Sequence, residues 1–320
     1  MAQIDELRLA VRVARMYYQW DMKQSDIAKR LGLSQPTISR LLQQAKQSGI
    51  VRISVTVPQG VYTELEEELL RCYRLRDAVV VDCSSDQDDR MMEREIGGAA
   101  AYYLESALRP NEVIGISSWS ATLLALVDAM HSVARKGDIR VVQILGGVGD
   151  PSANAHANRL TSRFADLVGG TPIYLPAPGL LGSAAARKVL LADAYVHEAI
   201  ALFDQVTTAL VGIGAIEPSK LLAQSGNIFG TNELELLRSK GAVGDVLLRF
   251  FDVLGKPVDT SLNDRVVSMP LDQLGRVDRS IGVAGGARKY AAILGALRGG
   301  WINVLITDQF TARRLVAEAN

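Results

Sequence analysis

From residue 77 onward, short continuous apolar runs alternate with stretches whose apolar positions recur at helical spacing. The runs at 77–83, 112–117, 139–145, 171–176, 208–214, 245–251, 280–285 and 302–307 read as strands. Helices are predicted at 92–108, 122–133, 157–168, 186–202, 232–239, 288–298 and 308–318. Strands apolar along their whole length, separated by helices, predict a mostly parallel sheet covered on both faces. Gly97 and Gly98 are expected to let their helix pack closely. Upstream, 61–75 is amphipathic and predicts a connecting helix with Leu65, Leu69 and Leu70 on its apolar face. Residues 5–20 predict a first helix whose stripe of Leu7, Val11, Ala14 and Tyr18 packs on the two helices that follow.

Those two helices lie in KQSDIAKRLGLSQPTISRLLQQAKQS, residues 23–48. Ile27, Ala28 and Leu31 mark the first, and Ile38, Leu41 and Leu42 the second, with a tight turn at Gly32 between them. Ser34 is a cap for the second helix, and Pro36 fits its first turn, where a missing amide proton costs nothing. The outward face carries Gln35, Thr37, Ser39, Arg40 and Gln44, side chains suited to base edges. This is a helix-turn-helix layout with the second helix as reader. The alternating segment IVRISVTV at 50–57 follows as the strand of a wing. The breaker cluster Val57-Pro58-Gln59-Gly60 sets three expected regions: a winged DNA-binding head at 1–57, a connecting helix at 58–76 and an effector and oligomerisation domain at 77–320.

Charge reinforces that division. The 320-residue chain is neutral overall, but its first 57 residues hold nine Lys or Arg against four Asp or Glu. A basic head on an acidic body directs nucleic acid to one end. Lys23, Lys29, Arg30 and Lys46 are candidates for phosphate contact, which fixes register rather than sequence. Lys23, Ser34, Gln35, Thr37, Ser39, Arg40 and Lys46 form the expected DNA-binding set. The amphipathic N-terminus lacks a signal peptide's apolar core, and no uncharged run approaches membrane-spanning length. Cys72 and Cys83 have no metal-ligand spacing, and no cofactor is indicated. A cytoplasmic, metal-free protein is expected.

Candidate ligand chemistry gathers at the carboxyl ends of the predicted strands, where open α/β sheets bind ligands. GISSWSAT (115–122) places Ser117, Ser118, Ser120 and Thr122 near a helix start, where amides and hydroxyls suit a phosphate or a polyol. LGGVGDPS (145–152), VGIGAIEPS (211–219) and VAGGARK (283–289) are three further glycine-rich turns. Lys289 lies early in the last predicted helix, as a cation for a phosphate. Asp245, expected at the start of a strand after Gly244, is placed to accept from sugar hydroxyls. His156 is a candidate ligand contact, whereas His131 and His197 read as helix-surface residues.

The segments SQPTISRLLQQAKQSGIVRI, LGGVGDPSANAHAN, GAVGDVLLRFFD and GGARKYAAILGALRGGWINVLITD resemble the SorC family of sugar-binding bacterial transcriptional regulators, over essentially the whole chain. The resemblance implies a winged helix-turn-helix head and a larger, mostly parallel α/β effector domain, similar in fold to glucosamine-6-phosphate deaminase and ribose-5-phosphate isomerase. It implies operator DNA and a carbohydrate or carbohydrate-phosphate effector as partners, with self-association to a dimer or tetramer. By the same resemblance, Ser118, Ser120 and Thr122 match a phosphate-binding loop, and Gly146 and Gly147 a second glycine loop. His156 matches a polar pocket position, Asp245 an acid facing the sugar, and Lys289 a base at the phosphate end. The chain departs from the pattern twice: Ser120 replaces a glycine, and Leu145 stands where several relatives carry a cation. An unphosphorylated sugar or polyol therefore stays open as effector. The leading expectation is a DNA-binding regulator of a carbohydrate or polyol operon. The alternatives are a sugar isomerase built on the same fold and an oligomeric scaffold on DNA.

Overall fold

The computed structural model describes residues 2–51, 58, 60–117, 119–133, 137–147, 151–217 and 229–319. The chain forms two compact units, Met1–Pro58 and Gln59–Asn320.

In the first unit, α1 (Ala2–Tyr18), α2 (Gln24–Leu31) and α3 (Gln35–Gln47) enclose a small core. Ile27 and Ala28 from α2 meet Ile38, Leu41, Leu42 and Ala45 from α3, as their spacing predicts. The buried face of α1 differs from the expected stripe: Ala10, Val13, Ala14 and Met16 are buried, while Leu7, Val11 and Tyr18 are exposed. Only Ala14 is common to both sets. Gly32 ends α2 in the left-handed region at φ 65°, which glycine adopts without steric cost. The Ser34 hydroxyl accepts from the Thr37 amide at 3.3 Å. The expected wing strand lies, from 52 to 57, outside the described residues.

The second unit is built on seven strands: β1 (Asp77–Val81), β2 (Val113–Ile116), β3 (Arg140–Gln143), β4 (Thr171–Ile173), β5 (Thr208–Gly212), β9 (Arg279–Val283) and β10 (Val304–Asp308). Their order is β1-β10-β9-β5-β2-β3-β4, and every pairing is parallel. Alternate residues feed two cores, one on each face. Ile114, Ile116, Leu210, Ile281, Val283, Val304 and Ile306 join one, and Val113, Ala209, Val211 and Leu305 the other. The chain runs outward from β2 through β3 to β4, then returns with β5 on the other side of β2. That reversal opens a crevice beyond the carboxyl ends of β2 and β5.

Helices α5 (Asp89–Ala107) and α6 (Ala121–Ala129) cover one face. Gly97 makes their close approach possible, since a Cβ there would lie 2.7 Å from the Ala125 methyl; Gly98 faces open space and has no such role. The expected connecting helix, α4 (Thr63–Tyr73), is part of the large unit: Leu69 is fully buried and the Tyr73 hydroxyl donates to the Leu315 carbonyl at 2.7 Å. The predicted helix 186–202 is broken in two, α8 (Ala184–Leu191) and α9 (Ala194–Ala201). Asp193 caps the second by accepting from the Tyr195 and Val196 amides, a competing bond that ends the first.

The largest departure concerns 245–251, read from sequence as one strand of the parallel sheet. It is a hairpin in a separate antiparallel sheet, β6 (Gly214–Ala215), β7 (Ala242–Val246) and β8 (Arg249–Asp252). Leu247 and Leu248 form its two-residue turn at φ 58° and 60°. A buried turn made of leucines carries no polar signal, so the continuous apolar run hides it. Asp245 accordingly lies inside β7 rather than at a strand start.

Among the described residues, no helix is long and apolar enough to cross a membrane, and no cluster of His, Cys, Asp or Glu is placed to hold a metal.

Candidate functional site

A cleft of about 640 Å³, its open mouth included, lies at the crevice beyond β2 and β5. Ser117, Trp119 and Ser120 enter it from the segment after β2, Ile213 from the segment after β5, and Leu145 from the segment after β3. Asp245, Leu247 and Leu248 come from the hairpin, and Arg288 and Lys289 from the turn after β9. Two glycines make room for these groups. A Cβ on Gly212 would meet that of Ser120 at 2.6 Å, and a Cβ on Gly214 would overlap Asp245 Oδ1.

Ser120 caps α6 by accepting from the Leu123 amide at 3.3 Å, which holds the loop against the helix start. Trp119 lines the cleft, and its indole N–H is buried with no hydrogen-bond partner among the described residues. Thr122 is fully buried in a smaller adjoining cavity that shares Glu93, Arg288 and Lys289 with the cleft, and among the described residues its hydroxyl is also unpartnered. Buried polar groups are almost always paired in folded proteins, so two orphans at one strand-end crevice mark where a ligand's acceptors and donors belong.

The charged groups are arranged as partners. Asp245 accepts from the Leu248 amide at 2.9 Å. Burial pushes its carboxyl up to about 6, against the opposing pull of that amide and of Lys289. Lys289 sits in a short turn, Ala287–Lys289, before helix α12 (Tyr290–Arg298), with its ammonium 4.0 Å from Glu93. Burial lowers its affinity for a proton, opposed chiefly by the Glu93 carboxylate. Arg288 is 3.8 Å from Asp89 and donates to the Glu217 carbonyl at 3.2 Å. The turn that presents Arg288 and Lys289 is anchored from below: Gly286, at φ 93°, donates to Asp308 at 2.8 Å, and Asp308 is completely buried.

The structure thus brings Ser120, Asp245 and Lys289 to one cleft, with Thr122 beside it. Gly146 and Gly147 have a different role. Their amides donate to the Val267 and Ala177 carbonyls, and a Cβ on Gly146 would lie 2.6 Å from the Ala177 oxygen. These glycines permit a close crossing of backbones, and their N–H groups are spent there rather than offered to a ligand. Ser118 and the side chain of His156 lie outside the described residues; the backbone of residue 156 is in helix α7 (Pro151–Val168). Glu93, Arg288, Leu247 and Leu248 were not singled out from sequence. Arg288 had a signal in its neighbour Lys289, whereas Glu93 reaches the cleft from a helix nearly two hundred residues away.

Leu247 and Leu248 are held in a conformation that costs a non-glycine residue about 1–2 kcal/mol each. Two-residue hairpins of this type favour Asn-Gly, which the left-handed region accommodates readily.

In the first unit, Lys23, Ser34, Gln35, Ser39, Arg40 and Lys46 are exposed, and Thr37 is half-buried with its hydroxyl 2.8 Å from that of Ser34. Gln35, Ser39 and Arg40 share the outer face of α3. Lys46 stands 6.0 Å above the Tyr18 ring, within cation–π range.

A sugar-binding domain family matches residues 58–317, and a homeodomain-like domain family matches residues 5–52. The deoxyribonucleoside regulator of Bacillus subtilis is 36% identical over 98% of this chain and 98% of its own length. The sorbitol operon regulator of Klebsiella pneumoniae is 32% identical over 99% of this chain and 100% of its own. The crystal structure of the full-length sorbitol operon regulator SorC from Klebsiella pneumoniae superposes with a TM-score of 0.72 at 30% identity, covering 98% of this chain and 99% of that one.

Proposed function

The chain belongs to the SorC family of sugar-binding transcriptional regulators, and on that premise we propose that it controls a carbohydrate or polyol operon by binding a sugar, sugar phosphate or sugar alcohol in the cleft of its large unit. The observation that carries this reading is the convergence of Trp119, Ser120, Asp245 and Lys289 on one crevice where buried polar groups lack partners. A carboxylate that accepts from hydroxyls, a cation beside it and an indole N–H form a donor and acceptor set for a polyol, with Lys289 and Arg288 at hand for a phosphate.

Operator DNA is the partner of the first unit. α3 lies in the major groove with Gln35, Thr37, Ser39 and Arg40 nearest base edges, and Lys23, Lys29, Arg30 and Lys46 contact phosphates. Self-association to a dimer or tetramer pairs the readers at about 34 Å, one turn of DNA. The effector acts only by its differential affinity for assemblies that match this spacing and those that do not. The large unit binds without turnover: Asp245 and Lys289 recognise the ligand rather than transform it.

The test is thermal unfolding of the full chain against a panel of sugars, polyols and their phosphates. A ligand bound only by the folded state stabilises it by about 2.7 kcal/mol at a hundred times its Kd. The expected result is a shift for one chemical class, lost in Lys289→Ala and in Asp245→Asn. A shift unchanged by both substitutions places the ligand elsewhere. Turnover of a panel member by the purified protein establishes the enzyme reading instead.

A further inference from the structure

The cleft is lined by aliphatic side chains as well as polar ones. Leu145, Ile213, Leu247 and Leu248 all line it, and all four are buried. Two of them occupy the hairpin turn where both residues have positive φ, and where Asn or Gly sits without strain while offering a polar edge. Strained backbone persists where the surrounding structure over-determines it, and it clusters at ligand sites.

The position of the strained pair relative to Asp245 is informative. The Leu248 amide donates to Asp245 Oδ2, so the carboxylate and the turn form one unit. A ligand hydroxyl held by Asp245 puts the adjoining carbon against Leu247 or Leu248. A hydroxyl on that carbon meets aliphatic side chains and a backbone amide already in use; a bare carbon meets a matching surface. Leu145, where several members of the family carry a cation, extends the same surface.

Resting on the carbohydrate-regulator reading above, we propose that Leu247 and Leu248 are specificity-determining residues that select a sugar, free or phosphorylated, bearing a deoxygenated carbon, a CH₂ or CH₃ in place of CHOH, next to the hydroxyl bound by Asp245. Burying an unpaired hydroxyl lowers affinity by roughly 10- to 100-fold.

The experiment is isothermal titration of the full chain with matched pairs: 2-deoxyribose and ribose, 2-deoxyglucose and glucose, and D-fucose and D-galactose, each free and as its phosphate. Within the best-bound pair, the deoxy member binds at least tenfold more tightly. In Leu247→Asn and Leu248→Asn, whose new side chain tolerates the same backbone and is close in size, the preference falls to threefold or less in at least one variant. Equal affinity within pairs, tighter binding of the hydroxylated member, or a preference unchanged in both variants overturns the assignment of the two leucines. Failure of the whole panel to bind overturns this inference, and the carbohydrate reading falls with it only if the wider panel of sugars, polyols and phosphates also fails; binding without preference overturns the inference alone.

Discussion

At the amino ends of the central strands, Arg279 and Glu112 form a buried ion pair in which nearly every polar atom has a partner. Arg279 also donates to Thr208 at 3.1 Å and to the Ala107 carbonyl at 2.8 Å, while Glu112 accepts from the Thr208 hydroxyl and the Arg109 amide at 3.0 Å each. At the carboxyl ends of the same sheet, Trp119 and Thr122 have buried donors with no partner among the described residues, burial raises the proton affinity of the Asp245 carboxyl, and two leucines are strained. Buried charges are tolerated when paired and hydrogen-bonded; buried donors without partners persist where a ligand supplies them. The same sheet therefore has one end whose buried polar groups are paired and one, proposed above for binding, where some are not.

The largest test breaks the paired end. Arg279→Met strands the Glu112 carboxylate and should cost about 3–5 kcal/mol in denaturant unfolding, with ligand affinity unchanged once the protein is folded. Adding Glu112→Gln, which removes the stranded charge and keeps an acceptor for one of its two donors, Thr208 or the Arg109 amide, should restore part of that loss. If Arg279→Met leaves the midpoint of unfolding in place, the amino end is not the stability-bearing one.

The carboxyl end should show the opposite sign. Asp245 binds its proton more tightly folded than unfolded, so its contribution to stability is fully present below about 3.8 and is lost as pH rises through about 6. In Asp245→Asn that falling limb disappears, and the ligand-free protein at pH 7.5 gains roughly 1–3 kcal/mol relative to its parent while losing effector affinity. Stability profiles of parent and variant that run parallel from pH 4 to 7 contradict the assignment.

Smaller changes sharpen the comparison. In Gly214→Ala the new methyl pushes the Asp245 carboxylate out of place, and effector affinity should fall about tenfold, near 1.4 kcal/mol, in a calorimetric titration. Ser120→Ala removes the cap of α6 and should cost about 1 kcal/mol of stability, seen as a modest drop in Tm.

What the sequence discloses divides along the same line. The turn at Gly32, the cap at Ser34 and the apolar spacing of Ile27, Ala28, Ile38, Leu41 and Leu42 are local devices, and the structure reproduces them. The strands were legible because parallel strands buried on both faces read as apolar runs. The cleft was legible only in its pieces. Ser120, Asp245 and Lys289 carry local cues, but their meeting depends on strand order, which no window of sequence holds. The Leu247-Leu248 turn was misread because its residues argue against a turn, and Gly146 and Gly147 because backbone crossing and ligand binding call for the same residue. Conflict between local preference and final structure is expected at functional sites.

The central claim, that the carboxyl end of the sheet governs DNA binding by the first unit, is tested most directly by fluorescence anisotropy. A labelled fragment of the DNA adjoining the protein's own gene is titrated with the full chain, with and without the sugar or sugar phosphate that binds best. The account predicts that the ligand changes DNA affinity at least tenfold in the parent. Asp245→Asn and Lys289→Ala should bind the same DNA as the parent does without ligand and give no response. A ligand response of undiminished size in both variants contradicts it.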